Sequence, residues 1–248
     1  MKQKIHVIMK KEDIIPERLD GKQAVVFDVL LATTVITSFF AGGAAAIYPV
    51  LDAKEGFEVN EREKPKHPLL VGEKKGLPIE GFQPPSPSVL KKEAADKHII
   101  LSTTNGTVAL RKAEAAKVIY ASSLLNNYFV AKELLSNKNA HDDITIICAG
   151  SAGQFCLEDY YGAGHLISHL ININQEIELS DAVIGAWKLV QGQPDTISLL
   201  QETAVGKMLK RHGYEKDVAY AANKDIYPVL PIMQKNGWMR NKGGVLSG

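Results

Sequence analysis

Residues 98–107 read HIILSTTNGT, an apolar run that passes directly into hydroxyl, amide and glycine residues. The apolar part has the composition of a buried strand, and the polar part stands where that strand would turn into a helix. In an open α/β sheet this turn lies at the carboxyl end of a strand, where ligands bind. Hydroxyl groups and unpaired backbone N–H groups at the start of a helix favour an anion. The stretch therefore predicts an α/β fold with a site for a small anion such as phosphate.

Short apolar runs alternate with segments of helical periodicity along the rest of the chain. The predicted strands are 1–9, 24–27, 45–50, 69–71, 98–101, 117–121, 143–149 and, at an edge of the sheet, 226–232. The predicted helices are 34–41, a segment ending near 115, 126–135, a segment ending near 171, and a mainly helical region over 180–222. The proline-rich loop 74–88 is predicted to lack regular structure. This alternation predicts a layered α/β/α fold with a largely parallel or mixed sheet, in a single compact domain over residues 1–248.

Composition limits the partners. The 248 residues are 45% hydrophobic with a formal net charge of +1, which argues against nucleic-acid or membrane-surface binding because those partners need a basic face. No apolar run approaches the roughly 20 residues that cross a bilayer, and the first residues do not resemble a signal peptide. Cys148 and Cys156 lack CxxC spacing and are predicted to be buried thiols. We expect a cytoplasmic protein, and a homo-oligomer remains open.

A second polar junction follows the apolar run 24–27. Asp28 ends that run, and Thr33 and Thr34 follow it at the start of a predicted helix. An acidic residue at this place can hold a metal or act as a base. Thr34 also suits a helix N-cap, a contact that stabilises the helix by about 1 kcal/mol. For Thr34 the sequence therefore favours neither capping nor ligand binding over the other. Asp28 lies several residues before the helix, which favours a functional role.

A third junction reads CAGSAG over residues 148–153, followed by Glu158 and Asp159. Small residues allow a ligand to approach the backbone closely. Acids in the first turn of a helix are favoured by its dipole without any function, so the two alternatives stand about even for this pair. Glu73 ends another apolar run. With Asp28 these acids would form an oxygen-rich set suited to Mg²⁺, without which they would repel an anionic substrate.

Several familiar patterns are absent or incomplete. The chain contains neither GxxxxGK[ST] nor GxGxxG. The strand that ends in Asp28 superficially resembles haloacid dehalogenase phosphatases, but Leu30 stands where those enzymes carry a second aspartate. His165 and His169 stand four residues apart on a predicted helix without the glutamate of zinc proteases. A structural histidine pair is therefore favoured over a metal site.

Taken in order, these segments resemble the 2-phosphosulfolactate phosphatase family, also called ComB-like. The resemblance covers roughly residues 25–165 and rests on Val26–Leu30, Ala32–Thr34, Gly72–Glu73, Ile79–Phe82, Thr103–Thr107, Cys148–Gly150 and Glu158–Asp159. It implies an α/β fold of its own type, distinct from that of haloacid dehalogenases. It also implies a Mg²⁺-dependent hydrolase that converts 2-phosphosulfolactate into sulfolactate and phosphate. In methanogens this step belongs to coenzyme M biosynthesis, and in bacteria it serves sulfolactate metabolism.

The chain departs from the family pattern in two places. Leu31 stands where many members carry arginine, whose planar fork binds phosphate or sulfonate. Residues 83–88 replace a loop that usually contains aspartate, glycine and asparagine before a Ser-Pro pair. Both changes bear on the substrate rather than on the reaction class. Lys74, Lys75 and Arg111 are candidates to supply the missing positive charge.

Our leading hypothesis is a Mg²⁺-dependent phosphatase that acts on a small anionic phosphoester. The predicted catalytic residues are Asp28, Glu158 and Asp159, and the predicted metal ligands are these three with Glu73. The predicted substrate-binding residues are Thr33, Thr34, Lys74, Ser86, Thr103, Thr104, Asn105, Gly106 and Thr107. Attack by a metal-activated water and a covalent path through Asp28 both remain open. The alternatives are a phosphatase with a shifted substrate and a non-catalytic protein that kept the anion pocket.

Overall fold

The computed structural model describes residues 3–136 and 142–242. The strands are β1 (Ile5–Ile8), β2 (Gln23–Phe27), β3 (Ala46–Val50), β4 (Pro68–Lys74), β5 (Leu77–Pro78), β6 (His98–Ser102), β7 (Val118–Ala121), β8 (Ile144–Cys148), β9 (Pro231–Met233) and β10 (Met239–Asn241). The helices are α1 (Ala32–Ala41), α2 (Ala53–Glu63), α3 (Pro87–Leu90), α4 (Gly106–Lys112), α5 (Asn127–Leu134), α6 (Leu157–Ile173), α7 (Asp181–Gly192), α8 (Thr196–Glu202), α9 (Ala204–Arg211) and α10 (Glu215–Ala221). Residues 1 and 2 of the predicted first strand, and residues 137–141 and 243–248 of the predicted domain, lie outside the described ranges.

These strands form one mixed sheet, as predicted. The strand order is β1-β8-β2-β7-β9-β10-β3-β6-β4-β5. Strands β1, β8, β2 and β7 pair in parallel, and so do β3, β6 and β4. In this register Phe27 lies opposite Cys148, and Ser102 lies opposite Gly72. The turns after β2 and β8 are therefore neighbours, and so are the turns after β6 and β4.

Strands β9 and β10 lie between the two parallel groups, so the prediction of an edge strand over 226–232 is wrong. Strand β9 pairs antiparallel with β7 through Ile232 and with β10 on its other side. Strand β10, which the sequence pattern misses, pairs antiparallel with β3 through Met239. Pro231 occupies an internal strand because it is the first residue of that strand, where a missing N–H breaks no ladder.

Helices cover both faces of the sheet. Successive side chains of a strand point to opposite faces: Val25 and Phe27 pack in one apolar cluster, whereas Val26 packs in another. Helices α5 to α10 contribute buried side chains to the first cluster, and α1 and α4 contribute to the second. The strands are apolar on both faces for this reason, and the predicted three-layer α/β/α arrangement is confirmed.

Two segments between strands are more regular than predicted. The sequence pattern misses α2 because Gly56 and Val59 are its buried residues and most of its other side chains are polar. Asp52 caps this helix by accepting the N–H of Glu55 at 2.9 Å. The loop 74–88, predicted to be irregular, contains the last residue of β4, the β5 strand that pairs with it, and the start of α3.

Two composition-based expectations can be compared with the structure. Cys148 and Cys156 are both free and buried, as predicted. Burial raises the pKa of both thiols, with Asp159 and Glu158 adding to the rise, so neither is an activated nucleophile. In the part of the chain that the structure describes, every helix is too short or too polar to cross a membrane.

Candidate active site

Asp28 lies directly after β2, buried between the starts of two helices, and is 7% exposed. The backbone N–H groups of Gly106 in α4 and Ala32 in α1 hydrogen-bond to its carboxylate. A Cβ at position 106 would lie 2.5 Å from the Ala32 Cβ and 2.7 Å from Asp28 Oδ2. Glycine is therefore required there. Gly106, predicted as a substrate contact, shapes the site by lacking a side chain.

The acidic residues of this region disfavour one another's charge. Burial raises the pKa of Asp28 to about 7, Glu73 and Glu158 add to the rise, and the two backbone N–H groups oppose it. Burial also raises the pKa of Glu158 and, together with the charges of Asp28 and Glu158, that of Asp159. Such a group of coupled carboxyls favours a bound proton or a bound cation.

The hydroxyls of Thr33 and Thr34 hold the turn between β2 and α1. Thr33 Oγ1 donates to the carbonyl oxygen of Asp28 at 3.0 Å and accepts the N–H of Asp28 at 3.1 Å. Thr34 Oγ1 donates to the carbonyl oxygen of Val29 at 2.8 Å. These contacts fix the backbone that carries Asp28. The assignment of both threonines to substrate binding stays a prediction.

The threonine-rich turn after β6 also uses hydroxyls internally. The N–H of Thr103 donates to Thr107 Oγ1 at 3.1 Å, and the N–H of Thr107 donates to Thr103 Oγ1 at 3.2 Å. Thr107 Oγ1 donates in turn to the Thr103 carbonyl oxygen at 2.9 Å. Thr103 Oγ1 thereby satisfies the N–H of Thr107, which lies in the first turn of α4 and has no partner within the helix.

Glu73 joins this turn to the hairpin formed by β4 and β5. Its Oε1 accepts the N–H of Thr104 at 2.7 Å, and its Oε2 accepts the N–H of Gly76 at 2.6 Å. The N–H of Lys75 donates to Thr104 Oγ1 at 2.7 Å. Glu73 thus positions the hairpin beside Asp28 and adds negative charge there.

Glu158 and Asp159 lie in the first turn of α6. Asp159 Oδ1 accepts the N–H of Val29 at 2.8 Å, and its Oδ2 accepts the N–H of Gly150 at 3.0 Å. Asp159 therefore joins the turns after β2 and β8, the two neighbouring strands. Glu158 is 2% exposed, beside the thiol of Cys156. Metal binding by Glu158 and Asp159 stays a prediction.

A cavity of about 390 Å³ opens beside these turns. The predicted site residues that line it are Asp28, Glu73, Thr103, Thr104 and Asn105. The predicted site residues outside its lining are Thr33, Thr34, Lys74, Ser86, Gly106, Thr107, Glu158 and Asp159. The structure therefore brings all three junctions and Glu73 to one cavity, the third junction through Ser151 and Ala152, while the acids of α6 lie outside the lining.

Ser86 is directed away from the cavity by a buried acid of α10. Its Oγ donates to Asp217 Oδ2 at 2.8 Å, and the N–H of Ser88 donates to Asp217 Oδ1 at 3.1 Å. Asp217 is itself buried. The loop 83–88 is thereby tied to α10, and Ser86 as a substrate contact stays a prediction.

Of the three cations considered as replacements for the family arginine, Lys75 lines the cavity. Lys74 is exposed and lies outside the lining. Arg111 also lies outside the lining, where it pairs with Glu55 at 2.6 Å and with Glu114, just after the end of α4. Lys75 is therefore the cation best placed to meet an anion there.

Sequence reasoning misses Lys11, a lysine that is 7% exposed. Its Nζ donates to Asn105 Oδ1 at 2.8 Å and pairs with Glu12 at 2.9 Å. The contact with Lys11 fixes the orientation of the Asn105 amide. Its Nδ2 donates to Ser151 Oγ at 3.5 Å, and Ser151 also lines the cavity. Lys11 follows β1, and a polar residue just beyond a strand is the signal that could have identified it.

Comparison with known proteins identifies the family. A sequence profile described as 2-phosphosulpholactate phosphatase matches residues 8–236. The chain belongs to this family. A protein of Clostridium beijerinckii named a probable 2-phosphosulfolactate phosphatase is 32% identical over 230 residues, which cover 92% of this chain and 95% of that protein. Proteins with the same name from Clostridium acetobutylicum and Carboxydothermus hydrogenoformans are 34% and 37% identical, over 92% and 87% of this chain and 96% and 89% of theirs. The resemblance seen in the sequence is confirmed, and with it membership in a family of phosphoric monoester hydrolases.

The donor set of this 2-phosphosulfolactate phosphatase family member suits Mg²⁺. Asp28 and Glu73 offer the cavity hard oxygen ligands, and burial, followed by the charges of Glu73 and Glu158, raises the pKa of Asp28, which a bound cation would counteract. The four predicted carboxylates do not supply three oxygens within 4.8 Å of one another. The arrangement therefore fits an ion held by one or two carboxylates, with waters and substrate oxygens completing its shell, as Mg²⁺ prefers.

A second group of metal-binding residue types, His165, His169 and Asp225, lies outside the cavity lining. His169 Nε2 lies 2.9 Å and His165 Nε2 3.6 Å from Asp225 Oδ2. Asn127 Nδ2 donates to the Gly162 carbonyl oxygen at 3.0 Å and lies 3.1 Å from His165 Nδ1. An amide nitrogen can only donate, so His165 Nδ1 accepts in this second contact. Because Nδ1 accepts this hydrogen bond, the proton of neutral His165 is on Nε2, the nitrogen that faces Asp225. A metal shared with Asp225 would have to bind Nε2, and this proton occupies that position. The contacts support the structural pair that the sequence favours.

Proposed function

We propose that this protein is a Mg²⁺-dependent phosphatase that hydrolyses 2-phosphosulfolactate, or a close analogue, to the free 2-hydroxy acid and phosphate. The observation that carries the proposal is the buried Asp28 carboxylate beside Glu73 in the cavity of a phosphatase-family chain. The relatives named above are called probable 2-phosphosulfolactate phosphatases. A cavity at strand ends with a few polar groups is the usual form of a small-molecule site.

Asp28 and Glu73 are the residues that would hold Mg²⁺. When bound, the ion would offset charge on the phosphoryl oxygens and lower the pKa of a water molecule. The N–H groups of Gly106 and Ala32 keep the Asp28 carboxylate in place. The N–H groups of Thr104 and Gly76 do the same for Glu73. Both ligands are therefore oriented before any ion arrives, which reduces the cost of reorganisation.

Lys75 and Asn105 are the residues proposed to contact the phosphate. Both line the cavity, and Lys11 holds the Asn105 carbonyl oxygen so that its amide nitrogen faces the side of Ser151, where one N–H donates to Ser151 Oγ at 3.5 Å and the second can donate to a ligand. In the route by direct attack, a water oxygen bonds to phosphorus as the water gives up a proton, the bond between phosphorus and the alcohol oxygen breaks, and that oxygen takes up a proton. Fixed donors stabilise the charge on the phosphoryl oxygens as it redistributes.

Phosphate release from 2-phosphosulfolactate tests the proposal. We expect turnover with Mg²⁺, none after chelation with EDTA, and almost none in Asp28→Asn. Asp181→Asn is the matched control because Asp181 is exposed on α7, outside the cavity lining. Binding of the substrate without turnover would contradict the proposal and favour the non-catalytic anion-binding alternative.

A single turnover in ¹⁸O-water separates the two chemical routes that the sequence leaves open. Label in phosphate, with no phosphorylated protein trapped by acid quenching, supports direct attack by water, because water that attacks the phosphorus of a phosphoaspartate would label phosphate as well. Label that enters the Asp28 carboxylate first supports a covalent intermediate on that residue and rules out direct attack.

A further inference from the structure

The cavity is short of positive charge for a substrate with several acidic groups. Among the described residues that line it, Lys75 alone is positively charged, whereas Asp28 and Glu73 are acidic. Lys75 is exposed on the β4–β5 hairpin, so water screens its charge. 2-Phosphosulfolactate carries a phosphate, a carboxylate and a sulfonate, all ionised at neutral pH. One Mg²⁺ and one exposed lysine provide enough positive charge for the phosphate. They leave little positive charge for the carboxylate and the sulfonate of the substrate.

Apolar side chains from separate elements form much of the remaining lining. They are Leu30, Leu31, Leu77, Val205, Met208 and Leu209. Met208 of α9 lies against the hairpin, since a Cβ on Gly76 would be 3.3 Å from its Sδ. Leu209 is buried in the core cluster beneath it. A sulfonate placed against these side chains would lose its hydration without gaining a partner, whereas an alkyl group would gain from the same burial.

We propose that the cavity is selective for a phosphomonoester with an apolar substituent: a 2-phosphorylated hydroxy acid that carries an alkyl side chain in place of the sulfonate. This inference rests on the proposed phosphatase function and names its substrate class. The 390 Å³ cavity leaves room beyond the phosphate for such a chain. Met208 and Leu77, from two elements that meet over the cavity, are the specificity-determining residues.

A substrate series measures this preference. The esters are the 2-phosphates of lactate, 2-hydroxybutyrate and 2-hydroxyhexanoate, compared with 2-phosphosulfolactate in the presence of Mg²⁺. We expect kcat/KM to rise about fourfold for each methylene that the cavity buries, and the hexanoate ester to exceed 2-phosphosulfolactate at least about tenfold. A higher kcat/KM for 2-phosphosulfolactate than for every alkyl ester would overturn the inference and leave the phosphatase function intact.

A binding series keeps the inference testable if the proposed function fails. Ethyl-, butyl- and hexylphosphonate, and a phosphonate with a terminal sulfonate, are titrated into the Mg²⁺-loaded protein by calorimetry. Affinity that increases with chain length supports the apolar cavity whether or not any ester is hydrolysed. Tighter binding of the sulfonate compound than of all the alkyl compounds overturns it, even in an active enzyme.

Charge placed on the apolar lining should reverse the preference. Met208→Lys adds a cation of similar length, and Met208→Leu is its neutral control. We expect Met208→Lys to raise kcat/KM for 2-phosphosulfolactate about tenfold and to lower it for the hexanoate ester, with the order unchanged in Met208→Leu. Leu77→Lys is the second variant, because Leu77 is 59% exposed and its replacement does not disturb the core. An unchanged substrate order in both lysine variants contradicts the inference.

Discussion

The backbone N–H of Gly106 donates to the carboxylate of Asp28, and the missing side chain of this glycine leaves the space that the carboxylate occupies. The contact joins the turn after β2 to the turn after β6, two strands that are not neighbours in the sheet. It therefore connects the two halves of the candidate site. A side chain at position 106 would meet the Asp28 carboxylate directly, so its effects on stability and on activity have to be measured separately.

Gly106→Ala should damage activity more than stability. The new methyl group would lie 2.7 Å from Asp28 Oδ2 and 2.8 Å from its Cβ, so the carboxylate must shift. Overpacking of this kind costs about 1–3 kcal/mol of the free energy of unfolding, while a displaced catalytic group loses about 100-fold in kcat/KM. Urea unfolding and initial rates measure the two effects. Gly192→Ala is the control, since a Cβ there meets nothing within 4 Å; equal activity in both variants would contradict the role of Gly106.

Magnesium should stabilise the protein through Asp28. An ion that binds the folded state alone stabilises it by about 2.7 kcal/mol at about 100 times its Kd. We expect the midpoint of thermal unfolding to rise with Mg²⁺ in the wild type and to stay constant in Asp28→Asn. The matched control Asp181→Asn should shift like the wild type. A full Mg²⁺ shift in Asp28→Asn would remove Asp28 from the metal site, independently of any activity.

The polar junctions could be predicted from the sequence because each one follows an apolar run, as Asp28 follows the run 24–27. Their convergence could not. In the strand order, β7, β9, β10 and β3 separate β2 from β6. The sheet is bridged there by β9 and β10, whose three residues each carry no recognisable period. The contact of Gly106 with Asp28 is therefore a product of pairing between distant segments.

The roles of individual polar side chains depend on packing. Thr33, Thr34 and Thr107 are the residue types that bind phosphate, but in the structure their hydroxyls bond to nearby backbone groups. Composition cannot distinguish these two uses, because a hydroxyl serves an anion or a carbonyl equally well. Lys11 shows the reverse error. A lysine is usually solvated, and this one is buried because Asn105 arrives from a turn far along the chain.

His165 should make stability depend on pH. Burial lowers its pKa to about 4, although Asp225 favours the charged form and His169 and Lys224 oppose it. The unfolded histidine has a pKa of about 6.5, so the unfolded chain binds the proton first as the pH falls. The stability that neutral His165 contributes is present above about pH 6.5 and is lost towards pH 4, at up to about 1.4 kcal/mol per pH unit.

Urea unfolding at about pH 7.5 and about pH 5.5 isolates this contribution. The wild type should lose about 1 kcal/mol more between the two conditions than His165→Gln does. His212→Gln, at an exposed histidine after α9, is the control and should follow the wild type. Equal losses in the wild type and His165→Gln would show that this histidine does not titrate in the predicted window.

Lys11 should position Asn105 rather than act on the substrate itself. Lys11→Met removes the donor to Asn105 Oδ1, so the amide loses its fixed orientation, and we expect kcat/KM to fall about tenfold, the effect of about 1.4 kcal/mol. Lys11→Arg should restore most of this loss because it supplies N–H donors at the same place. Lys4→Met, at a half-exposed ion pair with Glu178, should leave the rate unchanged.

The separation of kcat from KM, and inhibition by inorganic phosphate, distinguish positioning from a merely structural role for Lys11. If Asn105 contacts the phosphate, its disorder in Lys11→Met should weaken phosphate inhibition in proportion to the rise in KM. A destabilised fold would instead lower the amount of active enzyme, and with it the apparent kcat, while KM and the inhibition constant of phosphate stay unchanged. Unchanged phosphate inhibition in a folded Lys11→Met variant would therefore place Asn105 outside the phosphate site.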